Sequence, residues 1–366
     1  MIVIADDITG AAEIAGIAFE HGQQVRLVCA SPVGSATVSS EAITVVATDT
    51  RSMSEDEAVA ETRRILHPLS LEGEEGRLHF FKKTDSALRG HVVAELSALM
   101  EATGYRRAVY LPANPSKGRI VRQGVCYVHN VPIHATSFSY DPEYPARTSV
   151  LSQRSPDADE HHIIMPDAET MDDVRHVVER YNDAETLFAG AADLFTSLLP
   201  ASPSPLPSLH PHGSWHGHTP SESVLILCGS TQSKPLDLGI PVAPMPREVY
   251  DGSSDLTLWD TSAYNRQHSL ILSIPHTHRT GKAVAVHLRT VMAAMTRSLV
   301  AIHRPAQLII EGGATAWATL QALGWTTFEV VGQSAPGVVQ MRSVTNRTLV
   351  TLKPGSYPWA GCLSRL

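Results

Sequence analysis

The stretch from Leu78 to Met100 reads LHFFKKTDSALRGHVVAELSALM. Its first four residues, Leu78 to Phe81, predict a strand, and from Val92 onward apolar residues recur at helical spacing. The ten residues between, Lys82 to His91, carry two lysines, a carboxylate, a hydroxyl and an arginine. In open α/β sheets, ligands bind where a loop leaves a strand and enters a helix. We therefore predict an α/β protein with a binding site at this loop.

The residue types of this loop predict an anionic ligand. Lys82, Lys83 and the fork-shaped donors of Arg89 would attract negative charge, and the free N–H groups at a helix start would add to that attraction. Asp85 is suited to bind a hydroxyl group or a metal ion. The loop indicates an enzyme that handles small acids.

The first half of the chain alternates predicted strands and helices, which is typical of a parallel sheet. The predicted strands are 2–5, 25–29, 43–47, 78–81 and 108–111, and the predicted helices are 11–20, 55–66, 92–99, 171–181 and 191–199. Ser54 and Glu57 have the spacing of a capping box at the second helix. Residues 112–130 predict a basic loop followed by a small hairpin. We expect one doubly wound, mainly parallel domain over residues 1–200.

Residues 201–222 are rich in Pro, Ser, Gly and His and lack periodicity, which predicts a linker or an exposed loop. Four histidines crowd this stretch, at positions 210, 212, 216 and 218, but their surroundings offer no fixed geometry for a metal ion. We place the domain boundary here, so that residues 223–366 form a second α/β domain and a cleft lies between the two. Its predicted strands are 224–228, 270–274, 308–311, 328–331, 338–342 and 349–352, with helices 283–302 and 312–323.

The composition excludes several classes of function. The chain has 366 residues, 43% of them hydrophobic, and a formal net charge of −8, which argues against a broad nucleic-acid surface. The four cysteines, at positions 29, 126, 228 and 362, form no C-x-x-C pair, so we expect buried thiols. No apolar stretch is long enough to span a membrane, and the chain opens directly in a strand. We expect a cytoplasmic enzyme that acts on small molecules. α/β enzymes of this size often form homodimers, so a homodimer is a candidate for its assembly.

Two further polar loops follow predicted strands of the first half. Asp6 and Asp7 come after the first strand, where carboxylates can bind Mg²⁺, accept hydrogen bonds from a polyol or act as a base, and where helix capping by an Asp or by Thr9 is the alternative. Arg51 is suited to bind a carboxylate through two hydrogen bonds, with a surface salt bridge as its alternative. We expect both loops at the same sheet edge as the Lys83 loop.

Three glycine turns follow predicted strands of the second half. They are Gly229-Ser230-Thr231, Gly312-Gly313-Ala314-Thr315 and Lys353-Pro354-Gly355-Ser356. Glycine lets backbone N–H groups approach phosphate oxygens, and a helix start adds a favourable dipole. The turns predict a nucleotide site, although single Gly-Gly turns are common. Neither a Walker A pattern nor a G-x-G-x-x-G pattern occurs where it would be expected, which disfavours ordinary P-loop or dinucleotide binding.

These motifs resemble those of the four-carbon acid sugar kinases, which phosphorylate threonate, erythronate or 3-oxo-tetronate with ATP. Residues 4–11, IADDITGA, resemble the N-terminal signature of that family, and residues 83–90, KTDSALRG, resemble its K-x-D-S-T-L-R-G loop. Residues 112–119, PANPSKGR, resemble its P-A-x-P-x-x-G-R segment, and the three glycine turns resemble its ATP loops. Ala87, His91 and Ala314 depart from the residues common in the family. The resemblance extends over nearly the whole chain.

The resemblance implies a sugar-acid site in the first domain and an ATP site in the second. The implied sugar-acid residues are Asp6, Asp7, Arg51, Lys83, Asp85, Ser86 and Arg89, and the implied ATP residues are Ser230, Gly312, Gly313, Ala314, Thr315 and Gly355. Lys83 and Arg89 would supply positive charge, and either Asp7 or Asp85 would take the proton of the terminal hydroxyl. Mg²⁺ bridging the phosphates is expected, with no metal ligand assigned.

Two other functions fit parts of the sequence. A non-catalytic protein that binds the same acid and nucleotide would keep the pocket, and Ala314 and the low-complexity middle make it conceivable. A nicotinamide-dependent oxidoreductase could use the same scaffold, but its glycine fingerprint is missing.

Overall fold

The computed structural model describes residues 1–29, 42–67, 72–73, 76–140, 144–200, 223–230, 236, 238–274, 281–355 and 359. The chain divides into two compact units, Met1–Ser204 and Pro205–Leu366. The predicted linker with its four histidines lies outside the described residues, as do Thr231, Ser356 and Cys362. No helix in the described ranges has the length and apolar character that crossing a membrane requires.

The first unit contains twelve strands and six α-helices within its described residues. The strands are β1 (Ile2–Ala5), β2 (Val25–Val28), β3 (Ile43–Ala47), β4 (Glu72–Gly73), β5 (Gly76–Arg77), β6 (Phe80–Lys83), β7 (Arg107–Leu111), β8 (Arg119–Arg122), β9 (Val125–Val128), β10 (Val131–Pro132), β11 (Ile163–Ile164) and β12 (Thr186–Gly190). The helices are α1 (Ile8–Glu20), α2 (Glu55–Leu66), α3 (Val92–Thr103), α4 (Leu151–Arg154), α5 (Met171–Tyr181) and α6 (Ala192–Leu198).

Seven strands of this unit form a parallel sheet in the order β11-β7-β12-β6-β1-β3-β2. The central strands β1, β3 and β6 are buried along their whole length, as expected for parallel strands covered on both faces. A separate antiparallel sheet joins β8, β9 and β10. The predicted doubly wound, mainly parallel domain is confirmed, and the predicted hairpin has a third strand.

One strand differs from its prediction in a way that matters for the site. The strand expected at Leu78 to Phe81 lies two residues later, at Phe80–Lys83. Lys82 and Lys83 therefore belong to β6 and not to the loop that follows it. The sequence misled because two adjacent lysines are typical of exposed loops, whereas both of these are buried with partners.

The second unit is also an α/β structure, with a mixed sheet. Its strands are β13 (Val224–Cys228), β14 (Val242–Pro244), β15 (Ser269–Ser273), β16 (Gln307–Glu311), β17 (Thr327–Ala335), β18 (Val338–Ser343) and β19 (Leu349–Lys353), and its helices are α7 (Arg247–Tyr250), α8 (Ala263–Gln267), α9 (Lys282–His303) and α10 (Gly313–Leu323). The strand order is β17-β18-β19-β16-β13-β15-β14, with β18 antiparallel to both of its neighbours and the other pairs parallel. Strand β14 was not predicted.

The three cysteines that the structure describes form no disulfide bond. Cys29 and Cys126 are buried and Cys228 is half-buried. Burial raises the pKa of the Cys126 thiol to about 12, so it stays protonated at neutral pH. The expectation of buried thiols is confirmed for Cys29 and Cys126.

Candidate functional site

The polar loops of the first unit meet at the carboxyl ends of three adjacent strands. β1 lies between β3 and β6, with Ala5 opposite Ala47 on one side and opposite Lys83 on the other. Asp6 and the residues that follow β3 and β6 therefore leave the sheet side by side. This parallel register brings together the three loops that the sequence singled out, as predicted.

Arg51 connects two of these loops. Its Nε donates to Asp6 Oδ2 at 2.9 Å, and its Nη2 donates to Asp6 Oδ1 at 2.8 Å and to Asp7 Oδ1 at 3.0 Å. Burial opposes the charge of Arg51, but the carboxylates of Asp6, Asp7 and Asp85 outweigh burial and raise its pKa well above its ordinary value. The bidentate partner of Arg51 in this structure is Asp6, so each fixes the orientation of the other.

Asp7 both caps helix α1 and binds Arg51. Its Oδ1 accepts the Gly10 amide at 2.9 Å, which satisfies a free N–H group at the start of α1, and its Oδ2 accepts the Thr9 hydroxyl. Burial favours the neutral acid, but Arg51, Thr9 and Lys83 together lower the pKa of Asp7. The capping role named as an alternative is confirmed, and it leaves Asp7 ionised beside Arg51.

The side chain of Asp85 accepts four hydrogen bonds from residues that the structure describes. Its Oδ2 accepts the backbone amides of Ala87 and Arg89 at 3.0 and 3.3 Å and Arg89 Nε at 2.8 Å, and its Oδ1 accepts Arg89 Nη2 at 3.0 Å. Burial would raise the pKa of Asp85, but Arg51 and then Arg89 outweigh it and hold the pKa far below its ordinary range. The sequence attributed this ionisation to Lys83, whose effect is smaller than those of the two arginines.

The low pKa of Asp85 predicts a loss of stability in acid. A carboxylate whose pKa is lowered in the folded state stabilises that state above its unfolded pKa of about 3.9, and this contribution is lost as the pH falls below that value. Chemical denaturation at pH 5 and pH 2.5 should show a smaller drop in the free energy of unfolding for Asp85→Asn than for the unmodified chain. Asp172→Asn, at an exposed position of α5, should keep the full drop, and equal drops for all three proteins would refute this assignment.

The two lysines of β6 point to opposite faces of the sheet, as neighbours in a strand do. Lys83 Nζ donates to the Thr84 carbonyl at 3.0 Å and lies 3.4 Å from Glu13 Oε2. Lys82 forms a fully buried ion pair with Glu95 of α3, and Thr50 Oγ1 donates to the same carboxylate at 2.8 Å. The prediction that Lys82 attracts an anionic ligand is therefore wrong, because its charge is already compensated inside the protein.

The basic loop that follows β7 completes the cluster. Arg119 donates to Ser86 Oγ, and Lys117 forms an ion pair with Glu13. Asp193 fixes the loop, because its carboxylate accepts hydrogen bonds from the Ser116 amide at 2.8 Å and from the Ser116 hydroxyl at 2.7 Å. The segment 112–119 thus contacts the Asp85 loop through Ser86, one of the predicted binding residues.

The sequence did not identify Glu13 and Lys117 as neighbours of Lys83 in this site, or Glu95 as the buried partner of Lys82. A signal existed for Glu95, which lies on the same helical face as Val92, Leu96 and Leu99 and so places one acid among buried apolar positions. A buried acid needs a cationic partner. That the partner is Lys82 follows only from how α3 packs on β6.

In the second unit the three glycine turns converge. Cys228 of β13, Glu311 of β16 and Lys353 of β19 lie in register across neighbouring strands, so the turns that follow them are adjacent. Ser230 Oγ donates to the Gly355 carbonyl at 3.4 Å, and the Gly312 amide donates to the Lys353 carbonyl at 2.9 Å. A methyl group on Gly229 would lie 2.1 Å from Thr315 Oγ1. The predicted residues Ser230, Gly312 to Thr315 and Gly355 therefore form one group around the start of α10.

A buried ion pair lies beneath these turns. Lys353 Nζ is 2.7 Å from Glu311 Oε1, and both side chains have no exposed surface. Lys353 Nζ also donates to the Pro354 carbonyl at 3.0 Å and lies 4.6 Å from the ring centre of Trp359. Glu311 Oε2 accepts no hydrogen bond from any described residue. Lys353, which the sequence placed in a phosphate-binding loop, instead holds together the ends of β16 and β19.

Two family models match this chain. One, described as a sugar-binding N-terminal domain, matches residues 1–156. This range contains the cluster formed by Asp6, Asp7, Arg51, Asp85 and Arg89. The other, described as a nucleotide-binding C-terminal domain, matches residues 249–357 and contains two of the glycine turns. Curated relatives of this chain include proteins named D-threonate kinase, 3-oxo-tetronate kinase and D-erythronate kinase. The two matched domains and the names of these relatives together support the four-carbon acid sugar kinase family for this chain.

The similarity to curated members of this family is confined to part of each protein. The D-threonate kinase of Salmonella typhimurium is 33% identical over 154 residues, which cover 42% of this chain and 35% of that protein. The D-threonate kinase of Bordetella bronchiseptica is 34% identical over 155 residues, and the 3-oxo-tetronate kinase of Escherichia coli is 31% identical over 150 residues. The matched stretch spans 36% and 38% of these two proteins.

Solved structures share the fold over nearly the whole chain. A Haemophilus influenzae protein of the DUF1537 family has a TM-score of 0.69 at 19% identity, and a Salmonella typhimurium protein described as a putative tRNA synthase has a TM-score of 0.72 at 21% identity. Each match covers 97% of this chain and 96% of the other. At these identities the likeness establishes the fold alone.

The positions that depart from the family pattern have distinct surroundings. Ala87 is buried, and its backbone amide donates to Asp85. The His91 ring hydrogen-bonds the Met53 carbonyl at 2.9 Å and the Tyr144 hydroxyl at 3.2 Å. Ala314 is exposed at the start of α10. Of these three family departures, His91 is the one whose side chain connects different loops of the first unit.

Proposed function

We propose that this chain is an ATP-dependent kinase that phosphorylates the terminal hydroxyl of a four-carbon sugar acid. The observation that carries the proposal is the cluster of Asp6, Asp7, Arg51, Asp85 and Arg89 at one sheet edge. Ionised carboxylates held rigid by arginines accept hydrogen bonds from hydroxyl groups of a polyol. The names of the relatives support a sugar acid as the ligand.

Between the two candidate bases we favour Asp85. Its Oδ1 accepts one hydrogen bond among the described residues, so a lone pair remains for a substrate hydroxyl. Its low pKa makes it a weak base, which is tolerable because phosphoryl transfer in a loose transition state depends mainly on position and charge. Asp7 would then hold Arg51 and the start of α1, and Lys83, Ser86 and Arg89 would complete the acid site.

For the nucleotide we propose the three glycine turns of the second unit. The Cβ atom of any other residue at position 229 or 355 would lie within 3 Å of an atom of a neighbouring turn, so glycine lets the three turns pack closely around the start of α10. The start of α10, an eleven-residue helix, would favour the negative charge of phosphates. ATP would supply the transferred phosphoryl group, and Mg²⁺ would be carried mainly by its phosphates.

A coupled assay of ADP release tests the function. We expect ADP formation that depends on threonate, erythronate or 3-oxo-tetronate, supplied one at a time with ATP and Mg²⁺. Thermal stabilisation by an acid without any turnover would instead support a non-catalytic binding protein. Absence of both turnover and stabilisation with all three acids would refute the substrate class.

The close contacts around Gly229 lead us to predict that a substitution at this position weakens ATP binding. In Gly229→Ala the new methyl group would lie 2.8 Å from the backbone carbonyl of Glu311 as well as against Thr315, so the turn must move, at a cost of about 1–3 kcal/mol. We expect weaker ATP binding by calorimetry and a lower melting temperature. Gly324→Ala is the matched control, because Gly324 follows the opposite end of α10 with a φ of +67°, so this substitution costs stability without touching the turns. Equal ATP affinity in both variants and the unmodified chain would contradict the assignment.

A further inference from the structure

A cavity of about 240 Å³ lies next to the Asp85 loop in the first unit. Its walls come from Leu88, the start of α3 with Gly90 and His91, Tyr110 of β7, and Arg154 at the end of α4. The volume lies below the range of about 300–1,000 Å³ typical of pockets for drug-sized ligands, so it suits a smaller molecule. The cavity shares Gly90 with the cluster, since a methyl group on Gly90 would lie 3.2 Å from Asp6 Oδ2.

The start of α3 presents unsatisfied donors to this cavity. Among the described residues no side chain caps this twelve-residue helix, and its first backbone bond runs from the Glu95 amide to the His91 carbonyl. The amides of residues 92–94 form no hydrogen bond with any residue that the structure describes. Free N–H groups and the helix dipole together favour an anion at such a position.

Two side chains add donors of their own. Tyr110 is 2% exposed and lines the cavity, yet its hydroxyl forms no hydrogen bond within the described part of the chain. Arg154 donates Nη2 to the Leu88 carbonyl, which holds the guanidinium at the cavity wall. Burial raises the pKa of Tyr110, so its hydroxyl remains a donor at neutral pH. Glu55 and Asp157 also line the cavity, but both are exposed.

In the neighbouring cluster, positive and negative side chains already compensate each other. The carboxylates of Asp6, Asp7 and Asp85 face the cations of Arg51, Arg89 and Lys83, and Arg51 and Arg89 each form two hydrogen bonds with one of those carboxylates. Such a neutral cluster suits hydroxyl groups and gives little attraction to a further carboxylate. A sugar acid carries both kinds of group.

We propose that the cavity at the start of α3 binds the carboxylate of the sugar acid, through Arg154, Tyr110 and the free amides of α3. The hydroxyl groups of the acid then reach the Asp6–Arg51–Asp85 cluster across Gly90. This inference rests on the proposed function for the choice of ligand, but binding can be measured without turnover. It makes Arg154 and Tyr110 residues that determine specificity for acids over neutral polyols.

The test compares binding of a four-carbon sugar acid with binding of its uncharged amide, by calorimetry on the full chain. The unmodified chain should bind the acid more tightly than the amide. Arg154→Met should weaken acid binding about 10- to 100-fold and leave amide binding nearly unchanged, because a hydrogen bond to a charged group is lost. Tyr110→Phe should weaken acid binding less, and Arg175→Met, at an exposed position of α5, should behave like the unmodified chain.

The outcomes separate this inference from the proposed function. Equal acid affinity in Arg154→Met and the unmodified chain would overturn the cavity assignment, even if kinase activity is found. Equal loss of acid and amide binding in Arg154→Met would also overturn it, since that pattern indicates a disturbed loop. If no acid is turned over, but the acid binds and Arg154→Met loses the preference for acid over amide, the cavity assignment stands and the kinase proposal fails.

Discussion

Asp85→Asn should lower kcat for the sugar acid by about 10²- to 10⁴-fold, which is the usual contribution of a positioned acid or base. The substitution removes the negative charge that orients the substrate hydroxyl. It also places an amide group opposite the Ala87 amide and the Arg89 guanidinium, which donate to a carboxylate in the unmodified chain. Some stability should be lost as well, about 1–3 kcal/mol, because buried donors lose an acceptor. Steady-state ADP release, with circular dichroism to verify folding, measures both effects.

Two comparisons make this result specific to Asp85. Asp172→Asn removes an exposed carboxylate of the same unit and should leave kcat unchanged. Asp7→Asn should reduce activity less than Asp85→Asn if Asp7 mainly holds Arg51 and the start of α1. A kcat for folded Asp85→Asn within about threefold of the unmodified value would rule out the proposed role, and a larger loss for Asp7→Asn would reverse the assignment of the base.

Lys353→Met should destabilise the second unit by about 3–5 kcal/mol, because it leaves the fully buried Glu311 carboxylate without its cation. The double variant Lys353→Met/Glu311→Leu should recover most of this loss, since replacing both members of a buried pair by apolar residues is often neutral. Hydrogen exchange of β16 and β19 under native conditions reports this unit separately from the first.

The single and double variants also separate stability from nucleotide binding. If the ion pair only holds the strand ends together, the double variant should bind ATP nearly as well as the unmodified chain. A double variant as unstable as Lys353→Met would show that the apolar pair does not fit the space, and the account of this pair as an electrostatic unit would fail.

The sequence predicted most elements that carry strong local signals. The strand Ile43–Ala47 and the helices Glu55–Leu66 and Met171–Tyr181 have the predicted bounds, because β-branched residues or capping residues mark their ends. Strand β12 was missed, since the residues of Thr186–Gly190 show no clear alternation and their role as a central strand comes from pairing with β6 and β7.

The candidate site was predictable in position but not in pairing. Polar residues after parallel strands share one sheet edge, so topology alone brings the Asp6, Arg51 and Asp85 loops together. Which cation faces which anion depends on tertiary packing, as the pairs Arg51 with Asp6 and Lys82 with Glu95 show. The cavity at the start of α3 has no linear motif, because Tyr110 and Arg154 are far from the loop in sequence.

Phosphorus NMR of the reaction products tests the central claim most directly. The chain, ATP, Mg²⁺ and the four-carbon acid that gives ADP release should yield the resonance of a phosphate monoester, coupled to the protons of the terminal carbon of the acid. Asp85→Asn, incubated in the same way, should yield almost none. Conversion of ATP to ADP and inorganic phosphate alone, with the acid recovered unchanged, would contradict the assignment of this protein as a sugar-acid kinase.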